Sequence, residues 1–163
     1  LAIRYPRGKA EEADMSAPMH RLEPGKGREL SVSEDSKVAI LSFGPIGTEA
    51  KHALELLKEK GIVADHYDMV WAKPLDTEII DRVAGAGKAI VTVEDGAVEG
   101  GFGSAVTEYL AEKGCIVPVR RLGVPDRWVT HGSVGQLREE CGMNAEAIAR
   151  EVVSLAAGPE IYP

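Results

Sequence analysis

The chain has 163 residues, and an apolar fraction of 44% is enough to build the core of one ordinary domain with a short appendage. A formal net charge of -7 argues against general binding to nucleic acid or to anionic membranes. No apolar run approaches the ~20 residues that a membrane helix needs. Cys115 and Cys141 lack metal-ligand spacing, so we expect two free thiols and a cytoplasmic location.

The first eight residues are predicted to form the end of a strand and a turn. Residues 1–5 form an apolar strand that needs neighbours to pair with, so we expect the chain to be a piece of something longer. The turn places Arg7 at the carboxyl end of that strand, where open α/β sheets bind ligands. An arginine there could clamp a phosphate through two hydrogen bonds, although spacing alone favours a solvated turn residue. Residues 9–24 have no apolar period and are predicted to be a linker.

The compact part begins at Gly25. Residues 28–32 and 37–43 are strand-like and are joined by a polar four-residue turn, which predicts a hairpin with the first strand at an edge and the second in the centre. Thr48 or the glycine before it is expected to cap the next helix. The strand at 62–70 carries alternating polar residues, so we expect it to be less deeply buried.

The second half alternates strands with capped helices. Asp76 or Thr77 is expected to cap a short helix through Val83, and the β-branched run at 90–93 predicts a buried strand. A glycine-rich turn and a further helix follow, which is typical of one half of a parallel crossover unit. Pro118 cannot donate to a ladder, so the strand at 115–122 should lie near a sheet edge. Helix caps are expected at two more positions, Ser133 and Asn144.

This order predicts a three-layer α/β/α sandwich. About five strands form a mostly parallel sheet with one antiparallel edge strand. Residues 159–163 have no structural pattern and are expected to be a tail.

Several polar clusters are candidates for chemistry. Three acidic residues around the glycine turn, Glu94, Asp95 and Glu99, could hold a divalent cation, but their spacing matches no cation loop and acids before a helix also favour its dipole. Ser42 and Ser104 lack the elbow sequence of a hydrolase nucleophile. The turn at 100–103 is best explained by a close approach of the helix to its sheet.

The loop at 123–132 has the most catalytic residue types. Asp126 could orient His131 as a general base beside Arg127. No nucleophile or metal ligand sits at a diagnostic distance, so a structural loop locked by an Asp–Arg pair is the favoured interpretation. The residues by themselves predict a fold and leave the reaction open.

Five motifs in order nevertheless resemble one enzyme family, the 1-deoxy-D-xylulose-5-phosphate synthases, in their carboxyl-terminal part. These synthases are thiamine-diphosphate enzymes similar to transketolase. The matching motifs lie at residues 5–8, 25–27, 73–76, 94–106 and 123–132. The sequence departs from the family at Trp128, where phenylalanine is commoner, at Trp71-Ala72, where the family usually has Phe-Val, and in the long linker.

The resemblance implies a transketolase C-terminal domain at 25–158, preceded at 1–8 by the last strand and turn of the pyrimidine-binding domain and at 9–24 by the linker. It implies a reaction in which pyruvate is decarboxylated on thiamine diphosphate and its two-carbon unit condenses with glyceraldehyde 3-phosphate, feeding isoprenoid and thiamine synthesis. Thiamine diphosphate and Mg²⁺ would bind outside this chain. Arg7 would grip the substrate phosphate with Tyr5 adjacent to the substrate.

The same resemblance implies partners and leaves alternatives. The chain would serve as scaffold and dimer contact, without catalytic, cofactor or metal-ligating residues, in a homodimer that includes the upstream part of the same enzyme. Alone it would be inactive. The alternatives are a non-catalytic interaction module, or the C-terminal part of a transketolase or of a 2-oxo acid dehydrogenase beta subunit.

Overall fold

A computed structural model describes residues 16, 18 and 21–158. Within these residues five strands alternate with helices, and two helices close the chain. The strands are β1 (Arg28–Ser31), β2 (Val38–Phe43), β3 (Asp65–Asp68), β4 (Ala89–Ala97) and β5 (Val119–Val124). The helices are α1 (Gly47–Glu59), α2 (Thr77–Gly85), α3 (Phe102–Glu112), α4 (Val134–Glu140) and α5 (Ala145–Ala156).

The strands form one sheet in the order β1-β3-β2-β4-β5, in which β1 is antiparallel to β3 and the other pairs are parallel. The predicted sandwich with one antiparallel edge strand is confirmed. The predicted hairpin is wrong, because β1 pairs with β3 and places Arg28 opposite Asp68. The crossover through α1 returns β3 parallel to β2, so β3 takes the position beside β2 and β1 lies outside it.

The core has two halves, one on each face of the sheet. In β2, Val38 and Ile40 face α1 and α5, whereas Ala39 and Leu41 face α2 and α3. All four are fully buried. Because alternate residues of a strand point to opposite faces, a strand that is apolar throughout must be covered on both sides. This explains the central position of β2, which was predicted.

The burial of β3 differs from expectation, since the strand is covered rather than partly exposed. Asp65, which has no exposed surface, is neutralised by Lys88, whose Nζ lies 2.6 Å from its Oδ2. Ser36 Oγ donates to the other carboxylate oxygen at 2.6 Å and accepts from Lys88 Nζ at 2.6 Å. A buried carboxylate is tolerated when it is paired and hydrogen-bonded. This network ties together the amino ends of the strands.

Helix starts were predicted well where a side chain provides the cap. Asp76 accepts from two backbone N–H groups of α2, Ser133 forms a capping box in α4, and Asn144 caps α5. The expectation for α1 is wrong, since the helix follows Ile46 with no side-chain cap. Ile46 is fully buried, so packing rather than a cap determines this helix start.

The last strand is shifted from its predicted position. It begins after Pro118, whose carbonyl still accepts from Ile90 N–H, and it ends at Val124. Its place at the sheet edge is as predicted. Cys115 and Cys141 are free thiols. In the described part of the chain, none of the helices is long and apolar enough to cross a membrane.

Candidate functional site

The carboxyl ends of the parallel strands meet at one edge of the sheet, where open α/β sheets bind ligands. Four connections lie there, following β2, β3, β4 and β5. The described polar residues that the sequence singled out lie in these connections or in the strand and helix ends next to them.

Glu94 lies in β4 and its carboxylate is buried against the start of α3. Phe102 N–H donates to its Oε2 at 2.8 Å, and Gly103 N–H donates to its Oε1 at 2.8 Å. Both oxygens therefore satisfy the free N–H groups of the first helical turn. Glu94 therefore stabilises the amino end of α3, the helix-dipole role that was the alternative to a metal site. Within residues 21–158 no three His, Cys, Asp or Glu side chains are grouped to hold a cation.

The glycines of this turn allow α3 to approach the sheet. A methyl group on Gly101 would overlap the Glu94 carboxylate and the carbonyl of Ala97. One on Gly103 would overlap Thr92 Oγ1, a buried hydroxyl that has no partner among the described residues. The close approach predicted for residues 100–103 is confirmed.

Ser104 is held in a network of hydrogen bonds and is not available as a nucleophile. Its Oγ donates to the Val98 carbonyl at 3.1 Å and accepts from Gly100 N–H at 3.0 Å. Arg121 Nη1 also donates to it at 2.7 Å. An arginine donor beside the hydroxyl cannot accept its proton. The network instead fastens α3 to β5.

Ser42 and His66 form a pair that sequence reasoning missed. Ser42 Oγ and His66 Nε2 lie 2.9 Å apart on neighbouring strands, with 0% and 2% of the two residues exposed. Burial lowers the pKa of His66 from 6.5 to about 4, an effect that Asp68 partly opposes. A hydroxyl beside a neutral imidazole has the donor set of a nucleophile and base, but Ser42 Oγ also donates to the Tyr67 carbonyl at 3.3 Å. The pair joins β2 to β3.

The loop after β5 is locked, but not by the predicted pair. Arg127 Nη1 lies 3.0 Å from Glu140 Oε1, and its Nη2 donates to the Glu140 carbonyl at 3.3 Å. The predicted Asp126–Arg127 pair is therefore wrong, because Arg127 pairs with Glu140 instead. Asp126 and His131 are both exposed. The Arg127–Glu140 contacts hold one end of the loop, and the structural role of His131 stays a prediction.

The residues predicted to bind the substrate phosphate have no described position. Arg7 and Tyr5, with residues 1–8 and the tail at 159–163, lie outside the described residues. Gly27 N–H donates to Asp76 Oδ2 at 2.7 Å, which fixes the entry of the chain into the domain beside α2.

Thiamine diphosphate with Mg²⁺ does not fit the glycine turn at residues 100–103. A diphosphate needs free backbone N–H groups or cations, and Mg²⁺ needs free carboxylate oxygens. At the glycine turn the N–H groups and the carboxylate already satisfy each other. At this turn, Glu94 and the first N–H groups of α3 are therefore not free to hold a diphosphate or Mg²⁺.

Comparison with known proteins gives a consistent result. Residues 25–148 match the family model for the transketolase C-terminal domain. The 1-deoxy-D-xylulose-5-phosphate synthase of Parabacteroides distasonis is 46% identical over 93% of this chain. The chain spans only about a quarter of that relative, 24% of its length.

Solved structures agree on the fold. The inactive β4 tetramer of a split-gene transketolase superposes with a TM-score of 0.76 and 33% identity, over 89% of this chain and 46% of the other. A transketolase variant from Pichia stipitis gives a TM-score of 0.61 at 18% identity, over 84% of this chain and 19% of the other, which supports the fold alone.

Proposed function

The chain belongs to the transketolase C-terminal domain family, in the form found in 1-deoxy-D-xylulose-5-phosphate synthases, and from that premise we propose that it is the carboxyl-terminal part of such a synthase. The complete enzyme condenses pyruvate with glyceraldehyde 3-phosphate, with release of CO2, in a reaction that depends on thiamine diphosphate and Mg²⁺. The observation that carries the proposal is the 46% identity over 93% of the chain. The loop at 123–132 lies within residues 25–148, which match the family model.

The described domain acts as a scaffold in this proposal. Glu94 and Ser104, at the carboxyl edge, are both paired within the domain. A split-gene transketolase whose β4 tetramer is inactive supports the view that such a piece needs a companion polypeptide. We place the cofactor and Mg²⁺ in that companion part, and we propose that the complete enzyme is a homodimer in the cytoplasm. Two free thiols suit a reducing compartment.

The direct test is an activity measurement on the complete protein that includes this chain. Pyruvate and glyceraldehyde 3-phosphate are supplied with thiamine diphosphate and Mg²⁺, and CO2 release is followed with and without the aldehyde. Release that depends on the aldehyde, with formation of the five-carbon ketose phosphate, supports a synthase. Absence of CO2 with a working ketose-phosphate donor would assign the chain to a transketolase instead.

Substrate-phosphate recognition is assigned to Arg7, with Tyr5 adjacent to the substrate. In the complete enzyme Arg7→Ala should raise KM for glyceraldehyde 3-phosphate roughly tenfold to a hundredfold, because a hydrogen bond to a charged oxygen contributes ~1.5–3 kcal/mol. KM for pyruvate should change far less. Arg150→Ala, at an exposed position in α5, is the matched control and should change neither constant. Equal increases for both substrates would remove Arg7 from this role.

A further inference from the structure

A projecting segment at the carboxyl edge leaves its largest apolar side chain uncovered. We call residues 125–140 the Trp128 lobe; it comprises the loop after β5 and the helix α4. None of the residues of α4 is buried. Trp128 is 90% exposed and Val134 is 51% exposed. Tryptophan is enriched at the centres of protein interfaces, so this exposed indole is a candidate contact.

The lobe is fixed in place despite its exposure. Arg127 pairs with Glu140 and also donates to its carbonyl, which joins the two ends of the lobe. Arg138 Nη1 lies 2.8 Å from Glu49 Oε1, which fastens α4 to the first turn of α1. Both members of this second pair are largely shielded from solvent. A surface held in one conformation loses little conformational entropy when a partner binds.

The position of the lobe indicates what covers it. The lobe follows Val124, the last residue of β5, so it lies at the carboxyl edge of the parallel strands. The chain enters the domain at the same edge, because β1 is antiparallel and Arg28 at its start lies opposite Asp68 at the end of β3. Residues 25–27, which lead into β1, therefore lie at the same edge of the sheet as the Trp128 lobe, with β1 and β5 as its two outer strands.

The matched family model is that of a C-terminal domain, so the proposed function places the rest of the enzyme upstream of it. The relatives extend well beyond the matched region, since the chain spans 24% of the length of the synthase from P. distasonis. Ile116 provides a contrast at the opposite edge. It is 98% exposed, but it lies before β5, at the amino ends of the strands, away from the entry of the chain.

We propose that the Trp128 lobe docks against the polypeptide upstream of residue 21 in the complete protein, with the indole of Trp128 buried at the centre of the contact. The inference rests on the proposed function, in which the upstream part belongs to the same synthase. The partner surface is apolar where it receives Trp128 and Val134. Ile116 remains exposed in the complete protein.

Photo-cross-linking tests the proposal in the complete protein. Trp128→p-benzoyl-phenylalanine and, as the matched control, Ile116→p-benzoyl-phenylalanine are assembled from a mixture of ¹⁴N- and ¹⁵N-labelled chains and irradiated. The expected result is a cross-link from position 128 to upstream residues within one isotopic chain, and none from position 116 to that part. Cross-links that join light and heavy chains would overturn the proposal by showing that a second copy covers the lobe. A yield at position 128 no higher than at position 116 would overturn it by leaving the lobe uncovered.

Oxidative footprinting of the unmodified protein keeps the test independent of the substitution. Trp128 should lose its reactivity toward hydroxyl radicals in the native complete protein relative to the same protein unfolded in urea, whereas Ile116 should react equally in both states. Undiminished oxidation of Trp128 in the native protein would contradict docking. Synthase activity is measured on the same sample, so an active enzyme with an exposed Trp128 refutes the docking alone. A protected Trp128 in an inactive protein supports docking and refutes the proposed function.

Discussion

The carboxylate of Glu94 is the strongest candidate for a single group on which the start of α3 depends. It accepts N–H groups of Phe102 and Gly103, both at 2.8 Å, and only 4% of the residue is exposed. Glu94→Gln keeps the size of the side chain but removes the charge, and turns an amide NH2 group toward one of the two backbone donors. One buried N–H group is then left without an acceptor.

The expected loss follows from these contacts. A hydrogen bond to a charged group contributes ~1.5–3 kcal/mol, and a buried donor left unpaired costs ~1–3 kcal/mol. The interaction of the charge with the helix dipole overlaps with these contributions, so we expect Glu94→Gln to lower the free energy of unfolding by about 2–4 kcal/mol.

Urea denaturation monitored by circular dichroism measures this change. Glu99→Gln is the matched control, because Glu99 belongs to the same turn but is exposed, and its replacement should change stability by less than about 0.5 kcal/mol. Equal midpoints for the two variants would show that the Glu94 carboxylate does not hold the helix start, and the reasoning would be refuted.

Three further predictions concern buried groups of the domain. The pKa of His66 is lowered from 6.5 to about 4, so as pH falls the unfolded chain takes up this proton before the folded chain does, and the free energy of unfolding should fall by about 3 kcal/mol between pH 6.5 and pH 4. In urea titrations at several pH values, His66→Gln should lose that part of the pH dependence. An unchanged dependence of stability on pH in the variant would contradict this prediction. Gly101→Ala should destabilise the domain by about 1–3 kcal/mol, because the added methyl group overlaps the sheet. Gly85→Ala, in open space at the end of α2, should be neutral or stabilising. Thermal denaturation measures both variants, and a loss of stability in both, or in neither, would contradict the close packing at Gly101. Lys88→Met leaves the Asp65 charge buried and should cost about 3–5 kcal/mol in urea denaturation, and a loss below about 1 kcal/mol would show that the pair is not needed.

The layer architecture could be predicted because it depends on local patterns. β2 is apolar at every position from Val38 to Leu41, which requires cover on both faces, and Asp76, Ser133 and Asn144 carry their cap signals within three residues. The order of the strands at the β1 edge could not be predicted in the same way. A short polar turn favours a hairpin locally, but the crossover that places β3 beside β2 is a property of the whole sheet.

The burial of charged residues depends on partners that are distant in sequence. The pattern around Asp65 predicted an exposed strand, because Lys88, which neutralises this carboxylate, is 23 residues away in the sequence. Arg127 has Asp126 beside it, yet its partner is Glu140, brought near by the fold of α4. Pattern reasoning identifies which residues need a partner, but the partner itself comes from tertiary packing.

Some features of the candidate site could be predicted from the sequence and others could not. The close approach at the glycine turn, residues 100–103, could be anticipated, because glycine acts locally. The Ser42–His66 pair could not, since it forms only when β2 and β3 lie side by side. The role of Arg7 was implied by resemblance to a family and remains a prediction.

The central claim is that this domain supports chemistry carried out elsewhere in a longer enzyme. Titration calorimetry with thiamine diphosphate, with and without Mg²⁺, tests it most directly when the 163-residue chain is compared with the complete protein. The account predicts Mg²⁺-dependent binding by the complete protein and none by the chain alone. Tight, Mg²⁺-dependent binding by the 163-residue chain would contradict it.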